Sequence, residues 1–372
     1  MLGFKDKTGE ELKIQRKIET KMRKLFESSG YQEYEPPLIE RAEIYEECVG
    51  SDPTSWIEDA SLVPKSWENI VNRDFLPIIV TNFKGDNEVG RNLCILRPEG
   101  TASLCRYIAR NIVEKKINLD IFPQLKKYYI ITCYRNEGID NLSSTKLREF
   151  NQIGLENVGI SSIDADIEAF FLAYEGLRRI NVPQENISVR VSDVNIFREL
   201  SKASEYDIEK KVRMKENIDE LSKARLLEKD YELIQREIEK DVVSLPSYLR
   251  NSWKAVCSVC GGESAISEIE SETNFSLRAL RNFFSGLKKS GIPVSFDPAM
   301  IRSWEYYTGP ICQIDVTANN EVCAEVAGGG RYDTLIGNFL KRYSIEGSIP
   351  ATGFAYGTER LISIKKSIDK VI

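Results

Sequence analysis

The run KYYIITC, Lys127 to Cys133, is dense in aromatic and β-branched residues, and Ile153 to Val158 alternates apolar with polar positions. The two read as the arms of one β-hairpin, joined by the polar loop Gly138 to Lys146. This hairpin constrains the fold most because both arms carry chemistry beside the turn. Arg135-Asn-Glu137 follows the first strand, and Arg148-Glu-Phe150-Asn-Gln152 opens the second. A guanidinium forks a phosphate and an aromatic ring covers a flat base, so these residue types suit a nucleotide.

Composition narrows the chemistry further. The 372 residues are 42% hydrophobic and 29% charged, which allows one large domain and a smaller one. No run approaches the length that spans a bilayer and no apolar leader opens the chain, so a cytoplasmic protein with no membrane partner is expected. A net charge of −6 argues against a surface built wholly for nucleic acid. Histidine is absent altogether. That one fact removes Ser/His/Asp triads, Cys/His dyads and HExxH zinc sites, leaving Arg, Glu, Gln and Tyr to do the work. The eight cysteines lie singly apart from Cys257 and Cys260. With no second CxxC to complete a zinc site, no protein-held metal is expected, and Gly261-Gly262 read as a helix end.

Elsewhere the apolar spacing gives alternating helices and strands. Ile14, Ile18, Met22, Leu25 and Phe26 share one face of a helix from Glu10 to Ser28. Strands at Ile78–Phe83 and Asn92–Leu96, around a turn at Lys84 to Asn87, lead into Leu96-Arg-Pro-Glu-Gly-Thr-Ala102 and a further helix. Thr101 is a fair helix cap there, and a carboxylate with a hydroxyl at such a turn could hold an ammonium group. A helix from Asp164 to Ile180 precedes a strand at Ile187–Val191. Ser204 to Glu270 is rich in Lys and Glu at helical spacing and reads as a helical insertion. A helix carrying Leu280, Phe283 and Phe284 and a strand at Ile292–Phe296 then lead to Ile301-Arg-Ser-Trp-Glu-Tyr-Tyr-Thr-Gly-Pro310. Next come a strand running into three glycines, Ala324 to Asp333, and a strand entering a helix, Pro350 to Leu361.

These stretches, in this order, resemble the class II aminoacyl-tRNA synthetases and, among them, the histidyl-tRNA synthetase family. The hairpin resembles motif 2, which implies Arg135 on the α-phosphate of ATP and Phe150 on its base, with Glu137 and Arg148 in the same nucleotide set. PATGFAYGTERL resembles motif 3 and implies Arg360 on the γ-phosphate. LRPEGTA implies Glu99 and Thr101 at the amino group of the amino acid, joined by Gln152, with Glu156 facing an imidazole. IRSWEYYTGP implies Arg302 on the reacting carboxylate and α-phosphate and Tyr307 in the side-chain pocket, while AGGGRYD implies Tyr332 near the substrate. Catalysis would then rest on Arg135, Arg302 and Arg360. Gly30 to Tyr45, whose opening reads as a strand broken at Pro36-Pro37, resembles motif 1, the dimer-forming element of the class.

The resemblance implies an α+β fold, an antiparallel sheet flanked by helices. Residues 1–200 and 271–372 would form the catalytic core and 201–270 a helical insertion. It implies a homodimeric ligase that activates histidine with ATP and Mg2+ to histidyl-adenylate and passes it to tRNA. Three features depart from the family. Asp140 to Lys146 replaces a basic loop, Ser303 and Trp304 replace Gly and Leu, and the sequence to Ile372 holds no anticodon-binding domain, so tRNA contact is expected to be weak. The altered loop and the missing domain also resemble the regulatory subunit of ATP phosphoribosyltransferase, which does no chemistry, partners a catalytic subunit and serves histidine biosynthesis. A third reading hands the adenylate to an acceptor other than tRNA.

Overall fold

The computed structural model describes residues 2–41, 44–45, 77–79, 93–135, 137–227, 231–302, 306–318 and 321–369. The turn at Lys84 to Asn87, the expected strand residues at positions 80–83 and 92, Ser303 and Trp304 lie outside them. Two compact units divide the chain. One comprises Met1–Ser161, Trp304–Tyr306 and Tyr332–Ile372, the other Ser162–Ser303 and Tyr307–Arg331.

The first unit opens with α1 (Gly9–Ser28), β1 (Gln32–Glu33), β2 (Ile39–Arg41), β3 (Pro77–Ile79), β4 (Leu93–Leu96), α2 (Thr101–Val113), β5 (Leu125–Tyr134) and β6 (Glu149–Val158). The second runs through α3 (Ile163–Arg179), β7 (Ile187–Asp193), α4 (Val194–Ala203), α5 (Ile208–Leu227), α6 (Tyr231–Val242), α7 (Ser247–Ser258), α8 (Glu263–Thr273), α9 (Arg278–Lys289), β8 (Val294–Phe296), β9 (Pro310–Ala318) and β10 (Glu321–Arg331). The chain returns to the first unit for α10 (Leu335–Lys341), β11 (Ala351–Gly357) and α11 (Thr358–Asp369).

In the first unit the hairpin is long and regular. Leu125 to Tyr134 pair residue by residue with Val158 to Glu149, and β11 pairs antiparallel on the far side of β6, with Gly353 opposite Glu156 and Gly357 opposite Gln152. The two-residue β1 joins β5 in parallel, so the sheet is antiparallel except at this edge. A separate small sheet runs β2-β4-β3. Helix α1 is fastened by its apolar face: Phe26, fully buried, packs on Tyr128 with ring centroids 5.5 Å apart and on Phe354 at 6.2 Å. Phe26→Ala would cost about 3–5 kcal/mol.

In the second unit the strand order is β10-β9-β7-β8, antiparallel except for the parallel pair β7–β8. Helices α3 and α9 meet closely because Gly286 has no side chain; a Cβ there would collide with Ile167. Phe170 and Phe283 fill the same interface edge to face. Trp253 of α7 is fully buried between Phe197 and Tyr206, and its indole N–H donates to Ser204 Oγ at 3.0 Å. The charge-dense stretch therefore has a buried face, packed in part on α4.

One expectation changes here. Gly261 and Gly262 do not end a helix: α7 stops at Ser258, Gly261 bridges to Phe296 and Gly262 precedes α8. Gly261 takes a positive φ of 130°, a conformation that suits glycine. The strand expected to run into three glycines does so: β10 carries Gly328 to Gly330 through to Arg331. They pair with Gln313, Cys312 and Ile311 of β9.

Candidate active site

The strand period of two puts Phe150, Gln152, Gly154 and Glu156 on one face of β6. Glu156 is 1% exposed, so it is not a solvated strand residue. Its Oε1 accepts from Thr101 Oγ1 at 2.7 Å and from the Tyr129 hydroxyl at 3.1 Å, and its Oε2 accepts from the Tyr332 hydroxyl at 2.5 Å. Burial pushes its pKa up to about 8, against the Tyr332, Thr101 and Tyr129 hydrogen bonds that favour the charged form. A cationic group placed against this carboxyl would return it to the carboxylate.

Three glycines make room for the cluster. A Cβ on Gly100 would lie 2.5 Å from Tyr129 Cζ, one on Gly154 would enter the same ring, and one on Gly353 would overlap the Glu156 carboxyl. Tyr129 is fully buried and was not singled out by its sequence context. No sequence signal marked it: its pairing with Gly154, which sets its ring on the Glu156 face, emerges only with the sheet register.

The LRPEGTA turn is tied to β6 by two bonds: Thr101 to Glu156, and the Gly100 N–H to Gln152 Oε1 at 3.0 Å. The helix cap falls to Glu99 rather than Thr101. Its carboxylate accepts the N–H groups of Thr101 and Ala102, each at 2.6 Å, at the start of α2. Burial raises the Glu99 pKa; the Ala102 and Thr101 bonds and the nearby charge of Arg135 oppose the rise. Tyr332 also meets Tyr306 edge to face, at 5.7 Å between centroids. Glu99, Thr101, Gln152, Glu156 and Tyr332 are thus drawn into one buried polar cluster.

The residues assigned to a nucleotide lie toward the other end of β6. The Arg135 guanidinium sits 5.1 Å from the Phe150 ring centroid, and its Nε donates to Pro98 O at 3.2 Å. Phe150 rests on Tyr129, Ile131 and Cys133. Arg148 donates through Nε to Glu137 O at 2.9 Å, and Lys146 pairs with the Glu137 carboxylate at 3.0 Å. Both positive groups left in the altered loop are therefore engaged with Glu137. Arg360 is half-buried in the first turn of α11. Its neighbour Glu359 is buried, accepts the Asn151 N–H and pairs with Lys7 at 2.6 Å. Gly3, at φ +80°, accepts the Arg148 and Glu149 N–H groups through its carbonyl oxygen.

In the second unit, Arg302 donates to Gln313 Oε1 at 3.3 Å. Its guanidinium lies against Gly328, where a Cβ would come within 2.5 Å of Nη1. Tyr307 is buried, and its carbonyl accepts from Arg198 of α4 at 2.6 Å. Arg331 pairs with the buried Asp166 of α3.

The hairpin, the LRPEGTA turn and the closing strand and helix define a class II aminoacyl-tRNA synthetase-like fold. A model described as "Histidyl-tRNA synthetase" matches residues 82–361, and the chain belongs to that family. It is 29% identical over 370 residues to the histidine–tRNA ligase of Methanococcus maripaludis strain C6, covering 97% of this chain and 74% of that one. The histidine–tRNA ligase of Methanococcus vannielii is 30% identical over 363 residues, with the same coverage. Among solved structures, a histidine–tRNA ligase subunit from Alicyclobacillus acidocaldarius has a TM-score of 0.70 at 20% identity, over 99% of this chain and 97% of that one. A Bacillus halodurans protein described as an ATP phosphoribosyltransferase regulatory subunit/histidyl-tRNA synthetase has a TM-score of 0.69 at 22% identity, over 98% and 82%. The structural likenesses speak to fold. Among the described residues, no helix is long and apolar enough to cross a membrane.

Proposed function

We propose that the chain binds histidine and ATP and joins them as histidyl-adenylate. A histidine carboxylate oxygen attacks the α-phosphorus, the bond to the β-phosphate breaks, and pyrophosphate leaves with both electrons of that bond. The observation that carries this reading is the buried cluster on β6, where Glu99, Gln152 and Glu156 present acceptors around Thr101 and Tyr332 while Arg135 and Phe150 occupy the same strand face.

In this reading Glu99 and Gln152 take the ammonium group and Glu156 the imidazole, helped by Tyr307 and Tyr332. Arg135, Arg148 and Arg360 hold the phosphates, Phe150 the base, and Arg302 cancels charge as the carboxylate approaches phosphorus. Magnesium enters with the nucleotide as part of the substrate. A homodimer, transfer to tRNA and a helical insertion at 201–270 belong to the same reading. Histidine-dependent exchange of labelled pyrophosphate into ATP tests it.

One observation favours a second reading. Lys146 is paired with the Glu137 carboxylate, which leaves the altered loop poorer in charge for phosphates. A regulatory subunit of ATP phosphoribosyltransferase would bind histidine without needing that grip. Histidine binding in calorimetry with no pyrophosphate exchange would select this reading; exchange selects the first.

A further inference from the structure

Strand β9 places Gln313 and Asp315 on one face, and the β7 register sets Arg190 directly opposite Gln313. All three are buried, as are Ser222 on α5 and Asp297 just after β8. Their polar atoms form a continuous series. Arg302 donates to Gln313 Oε1 at 3.3 Å, and Gln313 Nε2 donates to Asp315 Oδ1 at 3.0 Å. Asp315 Oδ2 accepts from Arg190 Nε at 2.9 Å, and Arg190 Nη1 donates to Ser222 Oγ at 2.7 Å. Ser222 in turn donates to Asp297 Oδ2 at 2.6 Å, while Arg225, one turn further along α5, holds Asp297 Oδ1 at 2.6 Å.

Two features indicate that this series fixes geometry rather than merely filling space. The β10 bulge between Cys323 and Ala327 puts Glu325 at φ +54°, a strained angle for a residue with a side chain, and its N–H donates to Asp315 Oδ1 at 2.7 Å. Gly328 leaves the Arg302 guanidinium flat against β10, beside Gln313. Buried guanidinium and carboxylate groups tolerate no loss of a partner, so a shift at one end of such a network displaces the next member. Asp219, on the same helix, pairs with Lys223 and feels the charge of Arg302. Burial raises its pKa, and Lys223 and the Arg302 charge oppose the rise.

We infer that Gln313, Asp315 and Ser222 are positioning residues for Arg302, so that helix α5 sets the orientation of an arginine outside the helical stretch. A movement of α5 would thereby reach Arg302 without any ligand touching that arginine. The catalytic consequence rests on the function proposed above; the mechanical link does not.

Two measurements separate these. The first is solvent exchange of the Arg302 Nη–H group that donates to Gln313, followed by nuclear magnetic resonance and assigned by its loss in Arg302→Lys. Gln313→Leu and Ser222→Ala should each speed that exchange about tenfold or more, with the Arg135 signal of the other unit unchanged. Ser222→Thr, which keeps the hydroxyl between Arg190 and Asp297, should stay near the wild type. The second is pyrophosphate exchange. There the same two variants should lower kcat about tenfold while KM for ATP stays within about twofold, and Ser222→Thr should keep the wild-type kcat. Unchanged Arg302 exchange in folded Ser222→Ala and Gln313→Leu overturns the link. A wild type without pyrophosphate exchange overturns the activation reading alone, and the resonance measurement still decides the link.

Discussion

Glu156→Gln isolates the one carboxyl that the fold encloses most completely. The substitution keeps the shape and leaves Oε1 to accept from Thr101 and Tyr129, while the Tyr332 hydroxyl rotates to accept from the new amide. Only the titration is lost. In the folded chain this carboxyl titrates near about 8, against 4.5 for a free one. As pH rises, the unfolded chain therefore releases the proton first, so wild-type stability falls from about pH 4.5 upward and levels off past about pH 8. Each unit in that window is worth about 1.4 kcal/mol. Between about pH 5.5 and about pH 8 the wild type should lose about 3 kcal/mol relative to Glu156→Gln. Urea unfolding of both proteins, read by hydrogen exchange of β6 amides so that the first unit alone is reported, measures this difference. A difference that stays flat over the range would show the carboxyl ionised throughout, and the burial argument would be wrong. Saturating histidine should shrink the effect, because a cation against Glu156 restores its ordinary pKa.

Gly154→Ala should lower stability by about 1–3 kcal/mol or more through collision with Tyr129, seen as an earlier thermal transition; an unaltered melt would mean the ring has room to move. Arg135→Ala should weaken ATP binding by about 1.5–3 kcal/mol in calorimetry and spare histidine binding. Equal ATP affinity in the folded variant would move the nucleotide elsewhere. Lys7→Met removes a charged partner of the buried Glu359 and should cost about 1.5–3 kcal/mol in denaturant, whereas an exposed pair would cost almost nothing.

Much of the fold was legible because periodicity reports directly on burial. The α1 face of Ile18, Met22, Leu25 and Phe26 is buried as its spacing required, and both hairpin arms extend the runs that announced them. The glycine-rich places were harder. Gly261 and Gly328 look alike in a sequence, yet one bends the chain and the other lets an arginine lie on a strand, a distinction that depends on what packs beside them. In the candidate site the residues standing in motifs were visible, but their supports were not. Tyr129 is one aromatic in a strand full of them, Lys7 reaches a partner 352 residues away, and the Arg190, Asp297 and Asp315 set comes from separate strands and loops. No local pattern encodes such pairings, because only the completed sheet registers bring them together.

The glycine frame around Tyr129 also orders the routes by which this pocket can change in evolution. While the tyrosine ring is present, a Cβ on Gly100 or Gly154 collides with it, so an otherwise mild replacement by alanine is closed at both positions. Loss of the ring opens both positions and at the same time removes a hydroxyl from Glu156. A lineage that trades this pocket for a differently shaped one must therefore pass first through position 129, and its early members would carry an under-supported Glu156 before new side chains could fill the space. The glycines are free to vary only after the tyrosine has gone.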